Sequence, residues 1–100
     1  MAKINIENVV ASTRLRMDLD LQALALTLEG AVYEPERFPG LVYRLKEPKT
    51  ATLLFRSGKV VCTGAHSVDA VGVAIRKVAK QLQSTGIEVD LDPPVVVQNI

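Results

Sequence analysis

The sequence predicts an α+β fold: one five-stranded antiparallel sheet with two helices on one of its faces. Three observations carry this. Residues 38–64, FPGLVYRLKEPKTATLLFRSGKVVCTG, read as three consecutive strands divided by turn residues. Only two segments, near 18–28 and 67–86, show apolar residues at helical spacing, each as a single stripe. The strands of the middle stretch are largely apolar on both sides, which a sheet tolerates only when both are covered.

The turns set the register of that stretch. Pro39-Gly40 reverses the chain after Phe38, and Glu47-Pro48-Lys49 separates the next two strands, because proline has no N–H to give to a ladder. The following turn has two solutions. A two-residue loop at Ser57-Gly58 opposes Arg56 and Lys59, two like charges on one face. A three-residue loop, Arg56-Ser57-Gly58, puts Gly58 in the left-handed position of a bulge and opposes Phe55 and Lys59. The second register is preferred. Side-chain alternation then gives one face to Leu53, Phe55, Lys59, Val61 and Thr63, and the other to Thr52, Leu54, Val60 and Cys62.

The flanking segments follow in order. Ile4 to Ser12 reads as a first strand with Ile4, Ile6, Asn8 and Val10 on one face. An asparagine among strand hydrophobics is either a bulge residue satisfied by backbone or an amide meant for a ligand. From Asp18 to Leu28 the spacing of Leu21, Leu24, Ala25 and Leu28 predicts a short helix, capped by Asp18 or Asp20 and ended by Gly30. Ala31 to Glu34 forms a strand leading through Pro35-Glu36-Arg37 to Phe38, which sits near the tip of a loop. Ser67 caps a longer helix with Val71, Ile75, Val78 and Leu82 as its stripe, Arg76, Lys77 and Lys80 on its outer face, and Gly86 as its stop. Residues 88–94 read as a linker. The final Val97-Gln98-Asn99-Ile100 repeats the pattern of Ile6-Glu7-Asn8-Val9, which suggests a second repeat begun at the end of the first.

Composition narrows the function. One hundred residues make one domain, and 48% hydrophobic residues support a core. A formal charge of +1 gives no global pull toward nucleic acid or membranes, so only local clusters matter. One cysteine, Cys62, and one histidine, His66, allow neither an internal disulfide nor an ordinary zinc site. They offer no convincing nucleophile and base, so neither an enzyme nor a cofactor is expected. No apolar run is long enough to span a bilayer, and a soluble intracellular protein, cytoplasmic or nuclear, is the expectation.

Two single-striped helices cover one face of a sheet and leave the other bare. The bare face holds Asn8, Val10, Leu53, Phe55, Val61 and Thr63, with Arg37, Arg44 and Lys59 around it. An apolar patch with amide and hydroxyl groups inside and cations at its rim suits a shallow, partly apolar target with anionic edges. The DNA minor groove is one. A·T pairs present acceptors there without the guanine amino group, so Asn and Thr can donate while Val and Leu fill the freed space. Phe38 and Phe55 can wedge between base steps.

These residues also carry a family likeness. ENVVAS at 7–12, YEPERFPGLVYR at 33–44, KEPKTATLLFRSGKVVCTGAHS at 46–67, the long helix and the closing VQNI resemble one repeat of the TATA-box-binding protein family, in its archaeal form. The resemblance implies a curved sheet with its helices on the convex side, whose concave side grips and bends double-stranded TATA DNA at promoters. It implies base-edge contacts from Asn8, Val10, Leu53, Val61 and Thr63, intercalation by Phe38 and Phe55, and phosphate contacts from Arg37, Arg44 and Lys59. It also implies a meeting of Glu34 and Glu36 with an archaeal transcription factor B-like partner. The Arg76, Lys77 and Lys80 face reads from the residues alone as a solvated face, with a protein-partner site as the alternative. The family carries a lysine where this chain has His66, and it builds its saddle from two repeats. The expectation is therefore a single repeat over 1–92, a linker end and extra strand over 93–100, and a homodimer whose first strands meet at the dyad. The alternatives are an adaptor that uses the bare face for protein, an auxiliary module of the same fold, and a half-domain that binds nothing.

Overall fold

The computed structural model describes residues 8–91 and 93–99. The elements run β1 (Val9–Arg14), α1 (Leu21–Thr27), β2 (Val32–Tyr33), β3 (Leu41–Lys46), β4 (Lys49–Leu54), β5 (Lys59–Ala65), α2 (Val68–Ser84) and β6 (Val96–Asn99). They form an α+β unit in which one open sheet has the order β2-β3-β4-β5-β1-β6. Every neighbouring pair is antiparallel.

Both helices start where their caps dictate. The Asp20 carboxylate accepts from the Ala23 N–H, and the Ser67 hydroxyl accepts from the Ala70 N–H. Each satisfies a first-turn donor that the helix itself leaves open. Gly86, just past α2, is left-handed at φ +100°, a conformation that stops a helix without strain only in glycine.

The middle hairpins adopt the preferred register. The Phe55 N–H donates to the Lys59 carbonyl, the Gly58 N–H donates to the Phe55 carbonyl, and Gly58 has φ +90°. Gly58 is required for a second reason: a Cβ there would lie 2.2 Å from the Met17 carbonyl oxygen. The turn is bolted to the chain after β1 by hydrogen bonds from the Leu15 N–H to the Gly58 carbonyl and from the Leu19 N–H to the Arg56 carbonyl.

Strand alternation sends Leu41, Tyr43, Thr50, Thr52, Leu54, Val60 and Cys62 to the helix side, where all are buried. One part of the core joins Leu21, Leu24 and Leu28 to Leu41, Leu54 and Val60, with Val78 and Leu82 from α2. The other joins Val9, Ala11 and Cys62 to Val71, Ala74 and Ile75. α2 thus spans both, with each of its turns delivering one stripe residue. Burial pushes the Cys62 thiol above its ordinary pKa, an effect the Thr50 hydrogen bond partly offsets. The Thr52 hydroxyl oxygen is buried with no hydrogen-bond partner among the described residues.

Two expectations are corrected. The sheet has six strands rather than five, because Val96–Asn99 pairs with β1 of its own chain. The edge of β1 is therefore covered, and first strands of two copies cannot meet there while β6 keeps its place. The first strand also runs two residues further than expected, to Arg14. The expected start of that strand, with Ile4 and Ile6, lies outside the described residues.

Candidate nucleic-acid interface

The side of the sheet turned away from the helices is built in rows. Cross-strand partners place Ser12, Val61, Leu53 and Val42 side by side over four strands, an apolar band with one hydroxyl. On one side of that band lies the row Thr63, Ala51 and Arg44. On the other, Arg14 opposes Lys59, whose carbonyl in turn accepts from Phe55. Val10, Ser12, Leu53, Phe55, Lys59, Val61 and Thr63 are all partly exposed, while the residues alternating with them in the strands are sealed. Sequence alternation thus assigned the faces of Val10, Leu53, Phe55, Lys59, Val61 and Thr63 correctly, and Arg44 joins them. Ser12, Val42 and Ala51 were not singled out, although the same alternation reaches them.

Asn8 stands at a bulge. The register of β1 against β5 passes from Val9–Ala65 to Ala11–Cys62, so Thr63 and Gly64 both stand opposite Val10. The extra residue frees the Gly64 N–H from the ladder, with Gly64 at φ +85°. Asn8 Oδ1 accepts from that N–H at 2.8 Å. Since the backbone N–H can only donate, the contact orients the amide: oxygen to Gly64, nitrogen away. Of the two readings of this asparagine, the bulge residue satisfied by backbone is the one seen here. The oxygen serves the bulge, and the exposed Nδ2 retains its donors.

The two phenylalanines form a pair. Phe38 lies on the β2–β3 loop, where its N–H donates to the Glu34 carbonyl, and Phe55 follows β4. Their rings meet edge to face, with centroids 5.8 Å apart and planes at 65°. Gly40 makes room for them, since a Cβ there would lie 2.7 Å from the Phe38 ring and 3.0 Å from the Phe55 ring. Phe38 remains 37% exposed.

The charged residues divide between two sides. Arg44 and Lys59 are on the open face, and Arg37 is exposed on the Phe38 loop with Glu34 and Glu36. A cleft of about 720 Å³ at the far end of β3–β5 brings His66 together with Arg44, Lys46 and Lys49. Arg76, Lys77 and Lys80 lie on α2, on the opposite side of the sheet, around a cleft that Val73 and Leu91 also line. Lys77 Nζ donates to the Glu47 carbonyl. Among the described residues no cluster of His, Cys, Asp and Glu could hold a metal, and no helix is long and apolar enough to cross a membrane. Cys62 faces the helices and lies away from the open surface.

The chain's relatives can now be set beside this geometry. Residues 3–85 match the family model of transcription factor TFIID, or TATA-binding protein. The TATA-box-binding protein of Natronomonas pharaonis is 62% identical over 97% of this chain, a match spanning 52% of that protein. TATA-box-binding protein F of Halobacterium salinarum is 64% identical over the same shares. Among solved structures, the Methanococcus jannaschii TATA-binding protein superposes with a TM-score of 0.84 at 51% identity, covering 92% of this chain and 53% of that one. The chain thus spans about half the length of the curated relatives it matches. With the family model matching most of its length, and a solved member reproducing its sheet and helices, the chain belongs to the TATA-binding protein family.

Proposed function

We propose that the open face binds the minor groove of A·T-rich duplex DNA and bends it, as half of a promoter-recognising transcription initiation factor. The observation that carries this reading is the apolar band Ser12, Val61, Leu53 and Val42, uncovered on a sheet whose other face is sealed. Bare apolar surface of that extent marks a place of contact. Its polar content supports the groove over a protein surface. Asn8 Nδ2 and the Thr63 and Ser12 hydroxyls can donate to adenine N3 and thymine O2, and the guanine amino group would meet Asn8 donor against donor. Leu53, Val61 and Val10 fill the floor space that an A·T pair leaves. Phe38 and Phe55, paired edge to face as one wedge, enter a base step, and the wider protein–DNA interface that bending permits offsets the cost of unstacking. Arg37, Arg44 and Lys59 meet phosphates. The relatives' names give the expected site, a TATA element.

A gel-shift comparison of a TATA duplex with its G·C-substituted counterpart tests the reading. Preference for the TATA duplex with a shift in mobility that reports bending supports it. Equal failure on both favours an adaptor role for the same face.

The protein partners follow from the same reading. Glu34 and Glu36, exposed beside the phenylalanine wedge, offer an acidic contact to a transcription factor B-like partner, and Arg76, Lys77 and Lys80 offer a cationic one on the convex side. The second half of the saddle joins at the β6 end of the sheet. In support, Asn99, the counterpart of Asn8 in the short internal repeat, is the residue opposite Val10. Either more chain continues from β6, or a second copy takes its seat on β1. Sedimentation mass at micromolar concentration, with and without TATA duplex, separates the two: a strict monomer in both states removes the homodimer.

A further inference from the structure

The geometry points to an additional phosphate seat, formed by Arg14, Arg16 and Lys59 at the β1–β5 corner of the open face, for the backbone of a duplex lying on that face. It rests on the groove-binding reading and extends it to two arginines that reading does not use.

Arg14 and Lys59 are direct partners across the β1–β5 ladder. Like charges so opposed destabilise a sheet, and no acidic side chain among the described residues lines their cleft. Of about 440 Å³, it is lined by Arg16, Ser12, Thr13, Pro94, Val96 and Gln98 besides these two. Arg16 is turned into the left-handed region at φ +60°. Such a backbone is uncommon in a side-chain-bearing residue, and this one brings a third cation to the cleft. The three are held in place. β1 fixes Arg14, and the hydrogen bonds from the Leu15 and Leu19 N–H groups to the Gly58 and Arg56 carbonyls tie the segment carrying Arg16 to the turn before Lys59. A site lined by three cations and the Ser12 hydroxyl suits a phosphate oxyanion, for which guanidinium groups are well-matched donors. Its place decides which phosphate. Arg14 and Lys59 lie in the row of Phe55 and beside the apolar band, so a duplex seated on the band with the wedge inserted carries its backbone past this corner.

The test is the salt dependence of binding for the full chain, Arg14→Gln, Arg16→Gln and the double variant, on a TATA duplex and on its G·C-substituted counterpart. Each phosphate interaction removed should lower the slope of log K against log salt by about one unit and weaken binding about five- to tenfold near 0.1 M salt. Arg14→Gln also removes a cross-strand repulsion, so it should melt no lower than the parent, which separates a missing phosphate partner from a damaged fold. A lower slope on the TATA duplex supports the seat. The same drop with no preference between duplexes keeps the seat and removes the groove reading. An unchanged slope with affinity retained overturns the seat and leaves the groove reading standing. No binding to either duplex by the parent chain overturns both.

Discussion

Leu53 and Leu54 are neighbours in one strand and belong to two different surfaces. Leu54 is fully buried against Leu41, Val60 and the helices, whereas Leu53 sits between Val42 and Val61 on the side with no cover. The same residue type serves cohesion at one position and contact at the next. The period of a strand is what separates them. Such a sheet divides its sequence evenly between holding itself together and presenting itself, and substitutions should sort by parity.

The sharpest way to break the comparison is to truncate both leucines. Leu54→Ala should cost about 2–5 kcal/mol of unfolding free energy, because it leaves a cavity in a sealed core. Leu53→Ala should cost below about 1.5 kcal/mol, since its site is already partly open to water, while weakening TATA binding at least about tenfold. Chemical denaturation beside a gel shift reads both, and equal stability losses would remove the division. Next in size is the wedge. Phe55→Ala should reduce DNA bending more than Lys59→Ala does, whereas the lysine change should mainly flatten the salt slope, by about one unit. Gly40→Ala probes the same pair indirectly. Its methyl must displace two aromatic rings, so a loss of about 1–2 kcal/mol with diminished bending is expected in circular-permutation assays.

Smaller effects sharpen the covered side. Thr52→Val keeps the shape and removes a buried hydroxyl that finds no partner among the described residues. A gain of about 1 kcal/mol should follow, visible as a melting point roughly 5 °C higher. Smallest is the alkaline limb of stability. The folded protein holds the Cys62 proton more tightly than the unfolded chain does, because burial disfavours the thiolate. Unfolding therefore releases a proton at alkaline pH. The contribution is complete below the ordinary thiol pKa and is withdrawn as pH rises from there toward the elevated folded value. The gap in denaturation midpoint between the parent and Cys62→Ala should hold constant around neutral pH and change across that window, with the parent losing ground.

Much of this was readable in the chain because local rules dominate it. The Ser67 cap, the choice of Asp18 or Asp20 for the first helix, the left-handed Gly58 of the preferred register and the alternation along 52–55 and 59–63 all follow from residues close in sequence. The helix count then showed that a face goes uncovered. What escaped reading depended on partners distant in sequence. β6 became a sixth strand only through pairing with β1, more than eighty residues away, and a run of valines after two prolines does not announce where it docks. The bulge at Gly64 likewise follows from β1 and β5 falling out of step, which makes Asn8 a structural acceptor while its side chain stays exposed. Arg14 escaped because the first strand was ended at Ser12; alternation carried two residues further would have placed it on the open face.

The fastening of the 56–58 turn has a mechanical meaning. A ring forced between stacked bases is pushed back by them, and whatever carries it must not yield. Behind Phe55 the backbone is tethered at Gly58 and Arg56 to the connection between β1 and the first helix, with no gap at Gly58 into which it could recoil. On the proposed groove-binding reading, recoil at the wedge would pass into the leucine core, and the duplex, being the softer body, would be the one to deform.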